Sequence, residues 1–411
     1  MQRRKDNKGR VLREGETYRK TDGLYMYRWT TGDKKRHTIY SATLEELREK
    51  EEEIQHDLRD GIRTGESKIT LNDVYEMWKK DKVGLKQTTR GNYIYMYEHF
   101  VKDTFGKRKL QEIRRSDVRR FYNSLLDTKR LAVMTLDNIH TVLHQVLKVA
   151  VEDGYIRLNP SDEILGEVKR AHCYETPKRH ALTIPQQEAF IGFLSKSEIY
   201  KHWLPLFTFF LGTGCRVSEV TGLRWEDVHL KENYLEINHN MVYYQRDKGK
   251  CYFSITTPKT EAGCRIIPLL PEVKQALLEE RKNQMKNGIT CEAIIDGYTD
   301  FIFLNRFGNP HNPQTINRTI KRVSLAYNEQ ELDKAEKEKR EPILLPPFSC
   351  HNLRHTFATR YCENETNLKV IQEILGHRDI ATTMDVYAEA TKDAKVKSFE
   401  NLTGKIMIGR R

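Results

Sequence analysis

Cations, histidines and a tyrosine recur in a fixed order over the C-terminal half of this 411-residue chain. The segment from Cys350 to Phe357 contains the pattern His-x-x-Arg, and a Gly-His pair and a tyrosine follow it before residue 390. An arginine lies upstream in Thr-Gly-Cys-Arg, and a lysine in Thr-Pro-Lys-Thr. The ordered set is Arg216, Lys259, His351, Arg354, His377 and Tyr387. If these side chains serve one reaction, the fold must bring distant segments to one place.

These residue types suit phosphoryl transfer. Cations and histidines fit a reaction whose transition state is a highly charged phosphorus centre, and a tyrosine can carry a covalent phosphoryl intermediate. The planar donor forks of Arg216 and Arg354 match two non-bridging phosphate oxygens. At neutral pH only about one tyrosine in a thousand is ionised, and neighbouring cations would favour the phenolate of Tyr387. Glu219 stands one helical turn after Arg216, where it can orient that guanidinium.

The ordered set resembles the tyrosine recombinase (phage integrase) family, in which an arginine, a β-hairpin lysine, His-x-x-Arg, Gly-His and a tyrosine follow one another. The resemblance implies that the two arginines clamp a scissile phosphate and that the tyrosine attacks it. It also implies that Lys259 is the general acid for the leaving 5′-oxygen. His351 would relay protons or donate to the phosphate, and His377 would donate a further hydrogen bond.

Within the family, the small basic N-terminal region makes the chain most similar to integrases of conjugative transposons. The expected function is integration and excision of a mobile element, with DNA cleaved and rejoined through a 3′-phosphotyrosine. The resemblance implies no metal and no nucleotide cofactor. It implies double-stranded DNA with core and arm sites as the substrate, a homotetramer on DNA, and accessory excision or DNA-bending proteins as partners.

Other interpretations of the same residues stay open at this point. A zinc site is one, since His351 and His355 are spaced i, i+4, although Asn352 stands where a zincin has glutamate. Buried structural histidines are a second. Phosphatase-like chemistry with a packing Tyr387 is a third, although no Cys-x5-Arg loop is present. A type IB topoisomerase uses nearly the same residues, and an architectural DNA-binding protein could retain them in a decayed site.

Length and charge limit the class of protein. A chain of 411 residues exceeds what one hydrophobic core organises, so two or three domains are expected. The net charge of +12 points to a polyanionic partner. The seven cysteines are scattered without a Cys-x-x-Cys pair, which fits a reduced compartment. Neither a signal peptide nor an apolar run of membrane-spanning length is found. We therefore expect a cytoplasmic protein with no membrane partner, and the resemblance implies that it is nucleoid-associated.

Residues 1–66 are expected to form a small sheet backed by one helix. The alternation of Tyr25, Tyr27 and Trp29 predicts a strand, and a returning strand and a helix from about 44 to 61 follow. The segment up to Thr43 carries twelve Lys and Arg against five acids. The sheet is therefore predicted to face DNA, at arm-type sites by the resemblance, while packing on the helix is favoured over base contact for the three aromatic residues. Candidate DNA contacts here are Lys34, Lys35 and Arg36.

Residues 67–177 are expected to form a helical domain followed by a linker. Helical patterns begin near residues 69, 88, 116 and 136, and the last of them carries a full apolar stripe. Four helices in this order are similar to the core-binding domain of the family. The charged stretch after Asn159-Pro160 predicts an interdomain linker that would let two domains close on DNA. Candidate phosphate contacts, which could equally be a solvated face, are Lys86, Arg90, Arg119 and Arg120.

Residues 178–411 are expected to form the catalytic domain with a C-terminal tail. Residues 203–211 predict a buried helix, and residues 234–244 with 250–257 predict a hairpin. Gly376 is predicted to end a helix before His377, and residues 329–341 to be a solvated loop or helix end. The predicted fold class is multidomain and mainly α with small β-sheets (α+β), forming a clamp around DNA.

Overall fold

The computed structural model describes residues 4–31, 34–64, 68–175, 180–247, 250–258 and 261–390. The chain divides into two compact units, residues 1–176 and 177–411. Helices dominate both units, and the β-strands form small antiparallel sheets. This is the α+β architecture that the sequence predicted. None of the helices in the described ranges is both long and apolar enough to span a membrane.

The first unit opens with a three-stranded sheet backed by one helix. Its strands are β1 (Glu16–Tyr18), β2 (Tyr25–Thr30) and β3 (Arg36–Ser41), which pair antiparallel in the order β1-β2-β3. The sequence predicted β2 and β3 but not the three-residue β1. Helix α1 (Leu44–Arg59) follows and is capped by the Thr43 side chain. Tyr25, Tyr27 and Trp29 point to one face of β2, and they are buried with Leu44 and Leu47. Packing on the helix is therefore confirmed for these aromatic residues.

A helical bundle makes up the rest of the first unit. Its helices are α2 (Leu71–Asp81), α3 (Gln87–Phe100), α4 (Arg115–Asp127), α5 (Val133–Glu152) and α6 (Ile164–Ala171). The apolar stripe of α5, from Leu136 to Ala150, is buried at the centre of the core. The Tyr75 ring stacks on the Tyr97 ring with centroids 3.7 Å apart, which joins α2 to α3. The first four helices are those that the sequence predicted.

Helix α6 corrects the predicted linker. Residues 160–175 do not form a free tether, because Ile164 and Val168 are buried in the same core as α5. Arg119 of α4 also donates to Glu167 of α6 at 3.0 Å. The charged residues of this stretch concealed a short amphipathic helix, whose buried apolar residues stand only one turn apart.

The second unit is built around an apolar helix. Its helices are α7 (Ile184–Lys196), α8 (Leu204–Thr213), α9 (Val217–Gly222), α10 (Pro271–Asn287), α11 (Pro313–Glu338), α12 (Cys350–Asn364), α13 (Leu368–Leu375) and α14 (Ile380–Ala390). Helix α8 is apolar on nearly all sides, so neighbouring elements must surround it. Helices α7, α10 and α12 pack on it, and its residues Phe207, Phe209 and Phe210 are buried. This confirms the buried helix that the sequence predicted.

Two small antiparallel sheets belong to the same unit. One contains β4 (Val228–His229), β5 (Tyr234–Ile237) and β8 (Arg265–Pro268), in the order β4-β5-β8. The other is the hairpin of β6 (Asn240–Asp247) and β7 (Lys250–Thr256), whose turn at 248–249 lies outside the described residues. The sequence predicted one strand over 234–244, but the structure divides it between the sheets at Asn238 and His239. The His239 ring is buried there, with Nε2 2.7 Å from Gly222 O.

Helix α11 decides between the solvated loop and the helix end that were predicted for residues 329–341. Most of residues 329–341 belong to this helix, which continues to Glu338 rather than forming a solvated loop. Glu331 is buried, and Arg340 donates to both of its carboxylate oxygens. A two-pronged pair of this kind allows a carboxylate to be buried. Local charge density alone could not reveal that pairing.

The packing of α6 leads to a testable expectation. Ile164→Ala should lower the free energy of unfolding by about 2–4 kcal/mol, because it leaves a cavity beneath α6. Leu158 is 81% exposed and provides the matched control, since Leu158→Ala should change stability by less than about 0.5 kcal/mol. Urea denaturation of the full chain, followed by circular dichroism, measures both. Equally small effects would restore the linker interpretation.

Candidate active site

The first predicted arginine is held at the start of a helix. Helix α8 ends at Gly214, which adopts the left-handed conformation (φ +61°). Arg216 is the N-cap of α9, and its backbone N–H donates to Glu219 Oε2 at 2.7 Å. The guanidinium Nη1 of Arg216 donates to Glu219 Oε1, also at 2.7 Å. Glu219 therefore orients both the backbone and the side chain of Arg216.

The second predicted arginine comes from α12. Arg354 is buried on this helix, and its Nη1 donates to the Gly214 carbonyl at 2.7 Å. A Cβ at Gly214 would lie 2.2 Å from the Phe357 ring, so a larger residue would push α12 away. The left-handed glycine thus ends α8 and lets α12 approach it closely.

The carbonyl groups at the end of α13 join the arginines together. Helix α13 ends at Gly376 (φ +63°), as the sequence predicted, and the last C=O groups of a helix need partners from outside it. Three guanidinium groups, from β8, α12 and the α8–α9 connection, donate to three successive carbonyls. The pairs are Arg265 Nε with Ile374 O (2.7 Å), Arg354 Nη2 with Leu375 O, and Arg216 Nη2 with Gly376 O (2.8 Å). Cations at this end also interact favourably with the helix dipole.

One carboxylate faces these guanidinium groups. Arg265 Nη1 and Nη2 donate to the two oxygens of Glu219 at 3.0 and 2.8 Å. Burial by itself would raise the pKa of Glu219, but hydrogen bonds and charge from Arg265, together with Arg216, hold this pKa at about 2. Burial and the nearby charge of Arg216 lower the pKa of Arg354 to about 10. The cluster therefore has an excess of positive charge that a bound anion would relieve.

His377 follows directly after the glycine that ends α13. Its ring is buried, and Nδ1 lies 3.0 Å from the Thr383 hydroxyl on α14. Burial, followed by the positive charges of Arg354 and Arg216, lowers the pKa of His377 to about 4. The imidazole is therefore neutral at pH 7 and offers one N–H donor.

The predicted nucleophile, Tyr387, lies on α14, which packs against α12 and α13. Its side chain is half-buried in an apolar cluster with Ile371 and Leu375. Tyr361 of α12 belongs to the same cluster and stacks on Phe357 with ring centroids 5.7 Å apart. Burial raises the pKa of Tyr361. Helix α14 thus brings Tyr387 to the helices that position the buried arginine and the buried histidine.

The structure describes only one of the two remaining predicted site residues. Lys259 lies outside the described residues, as does the tail after residue 390, and Pro258 is the last described residue before that lysine. His351 is exposed on the first turn of α12. His355 Nδ1 lies 3.3 Å from the Thr359 hydroxyl. Within the described ranges, no three His, Cys, Asp or Glu side chains are placed to hold a metal ion.

Arg265 is the residue that the sequence interpretation missed. It begins β8 and points to the same face as Ile267, which is buried, while Ile266 is exposed. A charged residue on the buried face of a strand requires a partner, because an unpaired buried charge is costly. An arginine on the buried face of a strand whose exposed face carries an isoleucine is the pattern that could have revealed Arg265 from the sequence. It could be interpreted only once the pairing of Arg265 with Ile237 had shown which face is buried.

The predicted DNA contacts are all exposed, and some of them already have protein partners. Exposed positions are occupied by Lys34, Lys35, Arg36, Lys86, Arg90, Arg119 and Arg120. Arg119 donates to Glu167, and Arg120 donates to Asp117 at 2.7 Å. Arg90 donates to the Lys79 carbonyl at 3.2 Å. Exposed ion pairs contribute little stability, so DNA phosphates could replace these partners.

Three family descriptions match successive parts of the chain. The phage integrase family matches residues 181–394. The DNA-binding domain of Tn916 integrase matches residues 1–58. The N-terminal SAM-like domain of phage integrases matches residues 70–126. The first of these ranges contains the whole arginine cluster and Tyr387.

Relatives match over nearly the whole chain. The transposase from transposon Tn1545 of Streptococcus agalactiae is 31% identical, with 98% of this chain and 97% of that protein covered. The transposase from transposon Tn916 of Enterococcus faecalis shows the same identity and coverage. The Tn1549 transposon integrase, solved in complex with transposon right end DNA, superposes with a TM-score of 0.69 at 28% identity. That match covers 82% of this chain and 100% of the solved chain.

Fold and likeness together define an enzyme class, the site-specific DNA recombinases that work through a tyrosine. The chain belongs to the phage integrase family of tyrosine recombinases. The relatives with 31% identity come from transposons, and its function is the integration and excision of mobile DNA. This confirms the family that the ordered arginines, histidines and tyrosine indicated.

Gly376 provides a test of the arginine cluster. A Cβ there would lie 2.9 Å from Ala262 O and 3.0 Å from Arg265 Nη1, so Gly376→Ala should displace the end of α13. We expect covalent DNA cleavage to slow by roughly tenfold to a hundredfold. Gly288, which ends α10 at the same φ of +63° in open space, is the matched control for backbone strain. Equal cleavage rates for Gly376→Ala and Gly288→Ala would contradict this role of α13.

The low pKa of His377 predicts acid sensitivity of the second unit. The unfolded chain binds a proton at this histidine near pH 6.5, whereas the folded chain binds it only near pH 4. The contribution of neutral His377 to the free energy of unfolding is therefore fully present above about pH 6.5, and it is lost as the pH falls toward 4. At pH 5 this residue should reduce the free energy of unfolding by about 2 kcal/mol relative to pH 7.5.

Thermal unfolding of the native chain and of His377→Gln at both pH values measures this effect. The variant cannot titrate at this position, so its melting temperature should depend less on pH. An equal pH dependence in the two proteins would show that His377 is not the source.

Proposed function

We propose that this recombinase cleaves a DNA phosphodiester at the arginine cluster, where Arg216 and Arg354 bind the scissile phosphate. The excess of guanidinium groups over carboxylates in one place is the observation that carries the proposal. Each of the two arginines uses two of its five N–H groups on protein acceptors among the described residues. The remaining N–H groups can bind the non-bridging phosphate oxygens. The Arg216 side chain is 35% exposed, which gives DNA access to it.

The burial of Arg354 favours catalysis over a purely architectural role. Burying a charge costs free energy, and proteins that only bind the DNA backbone do so through exposed basic side chains. In a buried site, however, a fixed cation stabilises a developing negative charge far more than it would in water. The arrangement is thus suited to a transition state rather than to simple attachment to DNA.

Tyr387 is the proposed nucleophile. Its attack on phosphorus forms a 3′-phosphotyrosine bond and breaks the bond to the 5′-oxygen, so the bond energy is retained without metal or ATP. Lys259 is the proposed general acid that donates a proton to this leaving oxygen. Neutral His377 donates a hydrogen bond to the phosphate, and His351 donates or relays a proton. Attack by a new 5′-hydroxyl reverses the step and joins exchanged strands.

The proposed substrate is the double-stranded DNA of a mobile element. Residues 1–66 would hold arm sites, because the sheet face opposite α1 exposes Arg28 and Arg36, next to Lys34 and Lys35. Residues 67–177 would hold the core site, and residues 178–411 would cleave it. Phosphate contacts in the helical part would come from Lys86, Arg90, Arg119 and Arg120.

The proposed assembly is a homotetramer on two DNA sites. Exchange between two duplexes requires cleavage of four strands, and a single tyrosine in each protomer can hold one strand end at a time. Accessory excision or DNA-bending proteins would assist the assembly. The proposed location is the cytoplasm, in association with the nucleoid, because the substrate is DNA.

Tyr387→Phe is the direct test of the mechanism. It should abolish the covalent protein–DNA adduct on a nicked duplex from the element end, because the hydroxyl that attacks phosphorus is removed, while leaving the Kd for that duplex within about threefold. Tyr361→Phe is the matched control from the same apolar cluster and should retain the adduct. Denaturing gel electrophoresis detects it. Adduct lost only in Tyr361→Phe would reverse the assignment, and relaxation of plasmids lacking the element's site would favour a topoisomerase.

A further inference from the structure

Arg265 belongs to the arginine cluster but, unlike Arg216, it is shielded from solvent. Its side chain is only 5% exposed. Nε donates to Ile374 O, and Nη1 and Nη2 donate to the two oxygens of Glu219. Nη2 also lies 3.9 Å from Cys215 Sγ. Every nitrogen of the guanidinium has a protein partner, so Arg265 is not arranged to bind a phosphate itself.

Glu219 is shared between Arg265 and Arg216. Its two oxygens accept N–H groups from the Arg216 backbone, from Arg216 Nη1 and from both terminal nitrogens of Arg265. A carboxylate accepts about four hydrogen bonds, so Glu219 is saturated. Because two cations share one negative charge, Arg216 retains positive charge and N–H donors for another anion.

Arg265 also holds the chain that leads to His377. Its hydrogen bond to Ile374 O lies two residues before Gly376, whose carbonyl accepts from Arg216. The Gly376 backbone packs against Arg265 so closely that a Cβ would lie 3.0 Å from Nη1. A shift of Arg265 would therefore move the acceptor of Arg216 and the imidazole of His377 together.

We propose that Arg265 is a positioning residue of the recombination reaction, which aims Arg216 at the scissile phosphate by sharing Glu219 and by fixing the end of α13. The inference rests on the proposed role of Arg216. Without Arg265, Glu219 would have Arg216 as its remaining cation partner and would draw that guanidinium onto both of its oxygens. The phosphate would then lose donors, while exposed basic residues would still hold the DNA.

A single-turnover assay separates positioning from folding. Adduct formation with the nicked element-end duplex in saturating excess over protein yields an amplitude, which reports the active fraction of the protein, and a rate constant. Arg265→Gln should lower the rate constant roughly 100-fold at an unchanged amplitude, with the Kd for the duplex within about threefold. Arg265→Lys keeps the charge but loses the fork, so its rate constant should be intermediate.

Arg224 is the matched control within the same unit. It is a largely buried arginine that pairs with a carboxylate three residues further on, Asp227, at 3.2 Å, and it packs on the Tyr298 ring instead of the arginine cluster. Arg224→Gln should lower the melting temperature and leave the rate constant unchanged.

The Arg265→Gln, Glu219→Gln double variant provides a second test, because it removes the carboxylate that would otherwise draw Arg216 away from the phosphate. The double variant should then cleave no more slowly than the slower of the two single variants, Arg265→Gln and Glu219→Gln.

Several outcomes would overturn the proposal. Arg265→Gln could form the adduct with the native rate constant, or it could lower only the amplitude. Arg224→Gln could lower the rate constant as much as Arg265→Gln does. In the double variant, the losses in rate constant of the two single variants could multiply. Arg216→Lys distinguishes the two levels of inference. If it cleaves at the native rate, both the phosphate clamp and the role of Arg265 are wrong. If it is slow while Arg265→Gln is fast, only the role of Arg265 is wrong.

Discussion

The hydrogen bonds between three arginines and the C-terminal carbonyls of α13 are the interaction on which the rest of the site depends. A buried helix end must find donors for its last carbonyl groups, and a buried guanidinium must find acceptors. Here the guanidinium N–H groups are the donors for the helix end, and the carbonyl groups are the acceptors for the arginines. Because Arg216, Arg265 and Arg354 come from three different elements, the same bonds hold the α8–α9 connection, β8 and α12 to one helix end.

Carbonyl acceptors orient the arginines without cancelling their charge. A carboxylate for each guanidinium would have produced a neutral cluster with little attraction for phosphate. Glu219 is shared by two arginines, so the cluster stays positive. The same excess charge, added to burial, keeps His377 neutral. A site that is positive and rigid before DNA arrives needs little rearrangement when charge develops on phosphorus, which is the property that electrostatic catalysis requires.

Local periodicity predicted helices α1 to α5 and the apolar helix α8, and its failures have physical reasons. The stripe of α5 and the apolar α8 are long enough to be recognised in sequence. Helix α6 is only eight residues long and lies within a longer charged stretch, so it was mistaken for a linker. The sequence left a solvated loop and a helix end open for the charged end of α11, because the partner of buried Glu331 lies beyond the end of the helix. For both helices, the sequence did not show which side chains are covered by other parts of the chain.

The sequence by itself determined the order and chemical types of the predicted active-site residues, the family, and local features such as the glycine that ends α13. These properties are readable because they depend on residue identity and short spacing. Only the tertiary structure decided that Arg265 and Arg216 share Glu219, and that backbone carbonyls hold the buried arginines. Arg265 lies 109 residues from its carbonyl acceptor and 46 from its carboxylate partner. The partner of a buried charge depends on which distant segments pack together, and no local pattern encodes that choice.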